Sequence, residues 1–462
     1  MNQVKTMHLL AGAAMGLAVA ATASANTASM STDEIRAIAA QAIADAETRS
    51  SLLQSGTAGY DSNRGGFFIG SADGQFRLGI TGYTQVRYNL NFGDDDNNLG
   101  DDFASGFNMP NTVLIFHGQT HENIEFKIRG NFGEFGDFTL EDAFGQYNFG
   151  NNMYLRFGQF IAPFLREQLV DESMQLAVDR SLTNDIFNQG RSQGVEFGYR
   201  GDDFGVAIMF SDGFRSANSN FTSRGVAPLV DDGLGGFESN LNTPFGYAMQ
   251  GGTSSDFAFT ARGEWKFAGT WDQFDDFTFM PGNEFGGMVG LAGHVERTRD
   301  SQTTILDPIT GDGFEGETTL WGWTLDVSVG GDGWNAFAAV YGLHARTDID
   351  ILNGGGSEDV DTDDYGLVVQ GGFFIPNTDF ELFGRYDVAW VDDDRPGVDQ
   401  DSASQLTIGG NYYLHGHAAK FTLDLTYYFE NRNSLLVSNP TKNYIGGTDD
   451  EFAVRAQFQF AF

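Results

Sequence analysis

The sequence predicts an all-β chain, a transmembrane antiparallel β-barrel of about sixteen strands with a short N-terminal periplasmic helix ahead of it. Three observations predict this. Apolar and polar residues alternate with period two over long segments, most clearly at the end of the chain. There Phe452, Val454, Ala456, Phe458, Phe460 and Phe462 fall on one face and Glu451, Ala453, Arg455, Gln457, Gln459 and Ala461 on the other. The connections between such segments alternate short and long, as in barrels with short periplasmic turns and long outer loops. Finally, no stretch behind the leader reaches the ~20 apolar residues that a membrane helix needs. A barrel strand is apolar on one face only, so a composition that is 41% hydrophobic is compatible with membrane insertion.

The elements follow in chain order. Residues 1–25 read as a signal peptide: Lys5 gives the positive start, Leu9 to Ala21 a short apolar run, and Ala23-Ser24-Ala25 a small-x-small cleavage site. The mature chain would begin at Asn26. Within 26–64, Thr32-Asp33-Glu34 resembles a helix start, and Ile35, Ile38, Ala39, Ala42, Ile43 and Ala46 recur at helical spacing. This segment is either an amphipathic periplasmic helix or a loosely ordered tail, since a helix so short is marginal alone. Gly56 to Gly66 reads as a linker, and residues 65–462 as one barrel domain.

The strands are expected at 75–92, 107–118, 121–132, 139–149, 152–161, 191–200, 203–213, 255–268, 284–297, 318–330, 333–347, 363–375, 379–391, 403–415, 417–431 and 450–462. Their length of about ten or more residues suits tilted membrane strands better than the shorter strands of soluble sandwiches. Short turns fall at Gly150-Asn151, Gly201-Asp202, Gly330 to Gly333, Pro376-Asn377 and His415-Gly416. Long loops fall at 93–106, 162–190, 214–254, 298–317, 348–362, 392–402 and 432–449. The connection 269–283 is out of pattern, being long for the periplasmic side.

Composition removes several classes of function. A net charge of −37 leaves no basic face for nucleic acid. With no Cys there are no disulfides, thiolate nucleophiles or Cys-based zinc sites. Among the seven His, only His117/His121 and His415/His417 lie close together, and two ligands close no metal site, so they read as solvated turn residues. Gly354-Gly-Gly356 lacks the Lys-Ser/Thr of a phosphate loop. No catalytic residue, cofactor or metal is expected. The acidic runs at Asp94 to Asp96, Asp101-Asp102, Asp359 to Asp364, Asp392 to Asp394 and Asp449-Asp450 fit solvation better than cation binding, because none has a calcium-loop spacing.

One block carries a specific resemblance. It reads Phe157-Gly-Gln-Phe-Ile-Ala-Pro-Phe-Leu-Arg-Glu, then Asp179-Arg-Ser-Leu, then Gly190-Arg-Ser-Gln-Gly-Val-Glu-Phe-Gly-Tyr-Arg200. This resembles the phosphate-selective porin O and P family, with Pro163, Phe164, Glu167, Arg180, Ser181, Arg191, Gly194 and Val195 at the matching positions. Phe68 to Arg77 and the terminal Phe462 are similar too. The resemblance implies a sixteen-stranded homotrimeric porin of the outer membrane with a constricting third loop, and an aqueous channel for small hydrophilic solutes and ions, phosphate among them. The family's basic clusters near the constriction include lysines. This chain departs there, having no Lys between Lys127 and Lys266.

On this reading the pore-lining or constriction residues are Arg77, Arg87, Lys127, Arg129, Arg156, Arg166, Glu167, Arg180, Arg191 and Arg200. Inward-phase charges in the first eight strands are mostly basic. In the last eight they are mostly acidic: Glu284, Glu296, Asp326, Asp379, Glu381, Asp387, Asp424, Glu430 and Glu451, against Arg346, Arg385, Lys420 and Arg455. Either this asymmetry sets a field across the lumen, or each wall cancels it by local pairing. The expected partners are outer-membrane lipid, two further copies of the chain, and the barrel-assembly machinery, reached through the strand that ends in Phe462. The other class of function is a structural or adhesive surface barrel with a closed lumen, which would fill its interior with packed side chains.

Overall fold

In the computed structural model the described residues are 41, 57–61, 66–93, 103–133, 138–219, 230–231, 237–238, 255–298, 305–306, 313–351, 356–392, 402–429 and 450–462. The helix expected over 31–54 lies outside them apart from Gln41, as does Glu430. The chain divides into two units, residues 1–58 with 69–74, and residues 59–68 with 75–462. The barrel belongs wholly to the second.

Its sixteen strands are β1 (Arg77–Gly93), β2 (Phe103–His121), β3 (Ile124–Asn131), β4 (Thr139–Gly150), β5 (Met153–Ile161), β6 (Arg191–Arg200), β7 (Phe204–Ser211), β8 (Ser255–Ala268), β9 (Gly286–Thr298), β10 (Gly313–Gly331), β11 (Trp334–Ile351), β12 (Gly356–Phe374), β13 (Phe380–Trp390), β14 (Ser402–His415), β15 (Ala419–Phe429) and β16 (Glu451–Ala461). Every consecutive pair is antiparallel, and β16 closes on β1 through Val454↔Leu90 and Phe458↔Val86. Beyond β16 the backbone of Phe462 exchanges both hydrogen bonds with Gly82, at 2.9 and 3.1 Å. Closure leaves the sixteen-strand wall, as described, without a free edge, the condition for a sheet to stand in a membrane.

Alternation fixes the faces. Trp265, Trp321, Leu325, Trp390, Leu423 and Phe460 point outward and are exposed, whereas Gln85, Arg87, Thr407, Asp424 and Gln459 point into the lumen and are covered. An exposed apolar exterior around a polar covered interior is the inverse of a soluble domain and matches a lipid-facing wall. The short turns and the Arg77 and Phe462 ends of the sheet share one end, which the topology makes periplasmic.

Three expectations about the strands change. Residues 348–362 are mostly strand rather than loop: β11 runs to Ile351 and β12 starts at Gly356. Asp359, Asp361 and Asp363 therefore alternate outward along β12, where their charges are exposed. Arg346 also points outward, ion-paired to Asp348 at 3.1 Å and Asp359 at 2.8 Å, so it is no lumen charge. Glu284 and Asp379 sit exposed in periplasmic turns rather than on the inner wall.

Candidate functional site: the obstructed lumen

The lumen is occupied by the loop that follows β5. Gly158, in the strand leading to it, has φ +128°, and a Cβ there would stand 2.2 Å from the Ala143 carbonyl, so only glycine fits. Ala162-Pro163-Phe164 then turns the chain inward, and all three residues are buried. Two short helices, α1 (Arg166–Leu169) and α2 (Leu182–Phe187), cross the interior. Ser181 caps α2, accepting a hydrogen bond from the Asn184 N–H at 3.0 Å.

The loop leans on one half of the barrel. Its backbone N–H groups donate to inward carboxylates: Val178 to Asp424 at 3.0 Å and Thr183 to Asp387 at 3.3 Å. Phe214, just beyond β7, donates likewise to Glu296 at 2.9 Å. Leu165, Leu176, Ile186, Phe187 and Phe214 pack with Phe337, Tyr341, Leu343 and Val368 into an apolar core inside the barrel. Phe187 stacks on Tyr341 at 5.6 Å. A lumen wall that binds protein rather than water must be apolar inward as well as outward. β11 is such a strand, with Phe337, Ala339, Tyr341, Leu343 and Ala345 facing in and Trp334 and Val340 facing out. Loss of clean alternation along β11 was the sequence signal for this core, and residue-type counting alone does not see it.

Many of the inward charges pair locally. Arg455 lies opposite Asp424 in the ladder and binds it at 2.8 Å. Arg262 meets Asp326 at 2.8 Å. Asp179 of the loop bridges the closing seam, bound by Arg87 at 2.8 Å and Arg455 at 2.7 Å. Arg385 donates to the carbonyls of Asp179 at 2.7 Å and Arg180 at 3.3 Å. Glu381 takes neutral donors, accepting from Tyr413 at 2.6 Å and Asn335 at 2.8 Å.

The expected site residues separate into three groups. Arg87, Arg129, Arg166 and Glu167 are buried. Arg129 binds Glu141 and Asp171, and Glu172 at 2.7 Å. Glu167 accepts from the Ser181 N–H at 2.8 Å and also from its hydroxyl. Arg166 donates to the Phe274 carbonyl and lies over the Phe277 ring at 5.6 Å. A second group faces the strip of lumen that the loop leaves uncovered, along β3 to β6. Lys127 pairs with Asp142 at 2.8 Å, Arg156 with Glu196 at 3.4 Å, and Arg191 with Asp142 at 2.8 Å. Arg180 closes the loop on itself through Glu172 at 2.7 Å. The third group sits at the periplasmic rim: Arg77 over Phe68 at 4.1 Å and Arg200 over Trp271 at 4.9 Å.

Two cavities flank the loop on this uncovered side. One of about 300 Å³ is lined by Asn111, Asn131, Glu172, Asp179 and Arg180. The other, about 230 Å³, lies toward the periplasm beside Arg156, Glu196, Arg262 and Glu264. His121 and His415 are exposed beside their turns, whereas His117 lies within β2 and His417 is largely covered, 3.3 Å from Asp276. Among the described residues no cluster of His, Asp or Glu could hold a metal ion, and no helix is long and apolar enough to cross a membrane.

Residues 80–231 match the family described as phosphate-selective porin O and P. No curated protein sequence matches the chain. Among solved structures, the outer membrane channel DcaP of Acinetobacter baumannii is similar at 14% identity and TM-score 0.51, covering 87% of this chain and 100% of its own. OmpT of Vibrio cholerae in its trimer form is similar at 11% identity and TM-score 0.46, covering 83% of this chain and 99% of its own. An anion-selective porin from Comamonas acidovorans follows at 12% identity and TM-score 0.46, with 83% and 99% covered. The DcaP likeness is one of fold. A closed sixteen-stranded barrel with a loop folded into its lumen, matched by that family over residues 80–231, makes this chain an outer-membrane porin, a channel for small solutes.

Proposed function

We propose that small hydrophilic solutes and ions pass along one side of the barrel, between the loop 162–190 and the wall from β2 to β6. One observation carries this reading. Two inward basic side chains on that wall keep some exposure, 32% for Lys127 and 25% for Arg156, whereas on the opposite wall Asp326 and Asp424 are at 0% and Arg385 at 1%. In this reading Lys127, Arg156, Arg180, Arg191, Arg200 and Arg77 border the path. Arg87, Arg129, Arg166 and Glu167 act behind it by holding the loop. Because Lys127, Arg156, Arg180, Arg191 and Arg200 each have a carboxylate beside them, solutes meet both signs of charge, and selection by ion sign is weak. At physiological salt, screening within ~8 Å reinforces this.

The same reading includes export by the signal peptide 1–25, insertion among outer-membrane lipids, recognition of the terminal strand by the assembly machinery, and a homotrimer like that of the OmpT structure. Phosphate is one solute among several here rather than the dedicated cargo. The test is single-channel conductance of the full chain in planar bilayers, with reversal potentials in asymmetric salt. A small conductance with weak selectivity is expected, rising when residues 169–186 are excised. Near-ideal anion selectivity that saturates with phosphate would instead mean a dedicated phosphate pore. The apolar core within the lumen favours one other reading, a closed surface barrel, and the absence of any current would establish it.

A further inference from the structure

The turn between β8 and β9, residues 269–285, is far longer than its neighbours on the periplasmic end, such as 122–123, 151–152 and 332–333. It does not project into the periplasm. Thr270 and Gln273 cap a short 3-10 helix reciprocally, and the chain then buries Phe274, Phe277 and Phe279. Phe277 packs on the inward Phe337 at 4.8 Å. The segment is anchored on three sides of the mouth. The Trp271 indole N–H donates to the Gly201 carbonyl at 2.8 Å in the β6–β7 turn, Thr278 meets the Tyr413 hydroxyl of β14 at 3.1 Å, and Asp276 faces His417 at 3.3 Å in the β14–β15 turn. From above, Arg166 of the infolded loop reaches down to its Phe274 carbonyl. The lumen is thus filled from both ends by two segments that meet.

The 230 Å³ cavity on the solute side has a neighbour of about 830 Å³ at the periplasmic rim. The two share three lining residues, Tyr154, Arg200 and Trp271, which stand as the partition between them. The indole is pinned by its hydrogen bond and carries Arg200 over its ring at 4.9 Å and Lys266 at 5.6 Å. Arg200 keeps a half-exposed side chain that can swing, whereas Trp271 is fixed by the segment beneath it.

We propose that residues 269–285 form a second constriction at the periplasmic mouth, and that Trp271 sets the size limit for solutes crossing from the inner cavity to the rim. This rests on the reading of the chain as a porin with its path along β2 to β6. A solute that clears the loop must still pass the edge of a fixed indole, so bulky solutes are excluded at the exit even when the loop is out of the way.

The test compares the full chain with Trp271→Ala, Trp271→Phe and the 169–186 excision in planar bilayers, with folding checked by heat-modifiable migration. Removing the indole from a limiting ring should raise conductance roughly twofold and admit larger polyethylene glycols from the periplasmic side, with Trp271→Phe close to wild type. If folded Trp271→Ala behaves as wild type while loop excision raises the current, the second constriction is refuted and the porin reading stands. If neither wild type nor the excised chain conducts, the porin reading itself fails. Should Trp271→Ala not fold, Trp271→Cys serves, since the chain has no other Cys. A bulky thiol reagent added on the periplasmic side should then block the current in steps, and an unaffected current would refute the proposal.

Discussion

Asp424 on β15 accepts a hydrogen bond from the Val178 backbone N–H at 3.0 Å while its carboxylate also binds Arg455 at 2.8 Å. One side chain thus joins the loop to the wall and is itself neutralised. Asp387 holds the Thr183 N–H and Glu296 the Phe214 N–H in the same manner. The acids of this wall are therefore a dock for backbone donors that have left the water, and the loop's position off-centre in the barrel follows from them.

Undocking should be measurable. In the double variant Asp387→Ala, Asp424→Ala, the N–H groups of Thr183 and Val178 lose their acceptors and the Arg455 guanidinium loses one of its two carboxylate partners, keeping Asp179. Breaking one buried charge pair costs roughly 3–5 kcal/mol. We expect a lower melting temperature of the folded barrel and noisy, larger current steps as the loop leaves the wall. Melting and current both at wild-type values would show that the apolar core alone holds the loop.

Acid should leave the loop's other clasp in place over a wide range. Burial opposes the charge on Glu172, but Arg180 and Arg129 outweigh it and hold the carboxyl well below the usual carboxylate range. A depressed folded value means the stabilisation is complete above the ordinary glutamate value of ~4.3 and is lost only as pH falls through the lower folded value. The Glu172 clasp itself should therefore persist from neutral pH down to about that ordinary value. Glu172→Gln should be altered in conductance at every pH, and a wild-type change centred on the ordinary glutamate value would contradict the clasp.

Assembly should depend on the last residue. Phe462 makes both backbone hydrogen bonds to Gly82 beyond the end of β16, at the seam where the sheet closes. Deleting it removes that pair and an exposed apolar ring from the lipid face. A lower folded fraction is expected in isolated outer membranes, read by heat-modifiable migration, and unchanged assembly would exclude a role for the terminal residue.

Most of the barrel was legible in the sequence, because inward and outward faces alternate residue by residue and the lipid face is apolar throughout. All sixteen strands overlap their expected spans, with β10 and β12 starting five and seven residues earlier than expected. What failed depended on partners. Arg346 was assigned inward although its neighbours Asp348 and Asp359 share its outward face above the apolar band. The lumen charges left opposed walls and local pairing both open, because sequence does not give the register that sets Arg455 directly across from Asp424. Residues 269–283 stood out by length, but length does not tell a projecting turn from one whose Phe274, Phe277 and Phe279 fold inward.

The central claim, that the loop covers one wall and leaves the other open to water, is tested most directly by single-cysteine accessibility, for which the Cys-free chain is ready made. Lys127→Cys and Arg156→Cys lie on the open strip, and Thr407→Cys on the covered wall, where Thr407 is fully buried. In folded channels a small charged thiol reagent should modify the first two within the recording and step the current down, and leave Thr407→Cys untouched. Modification of Thr407→Cys with Lys127→Cys and Arg156→Cys protected would place the water path on the opposite wall and contradict the account.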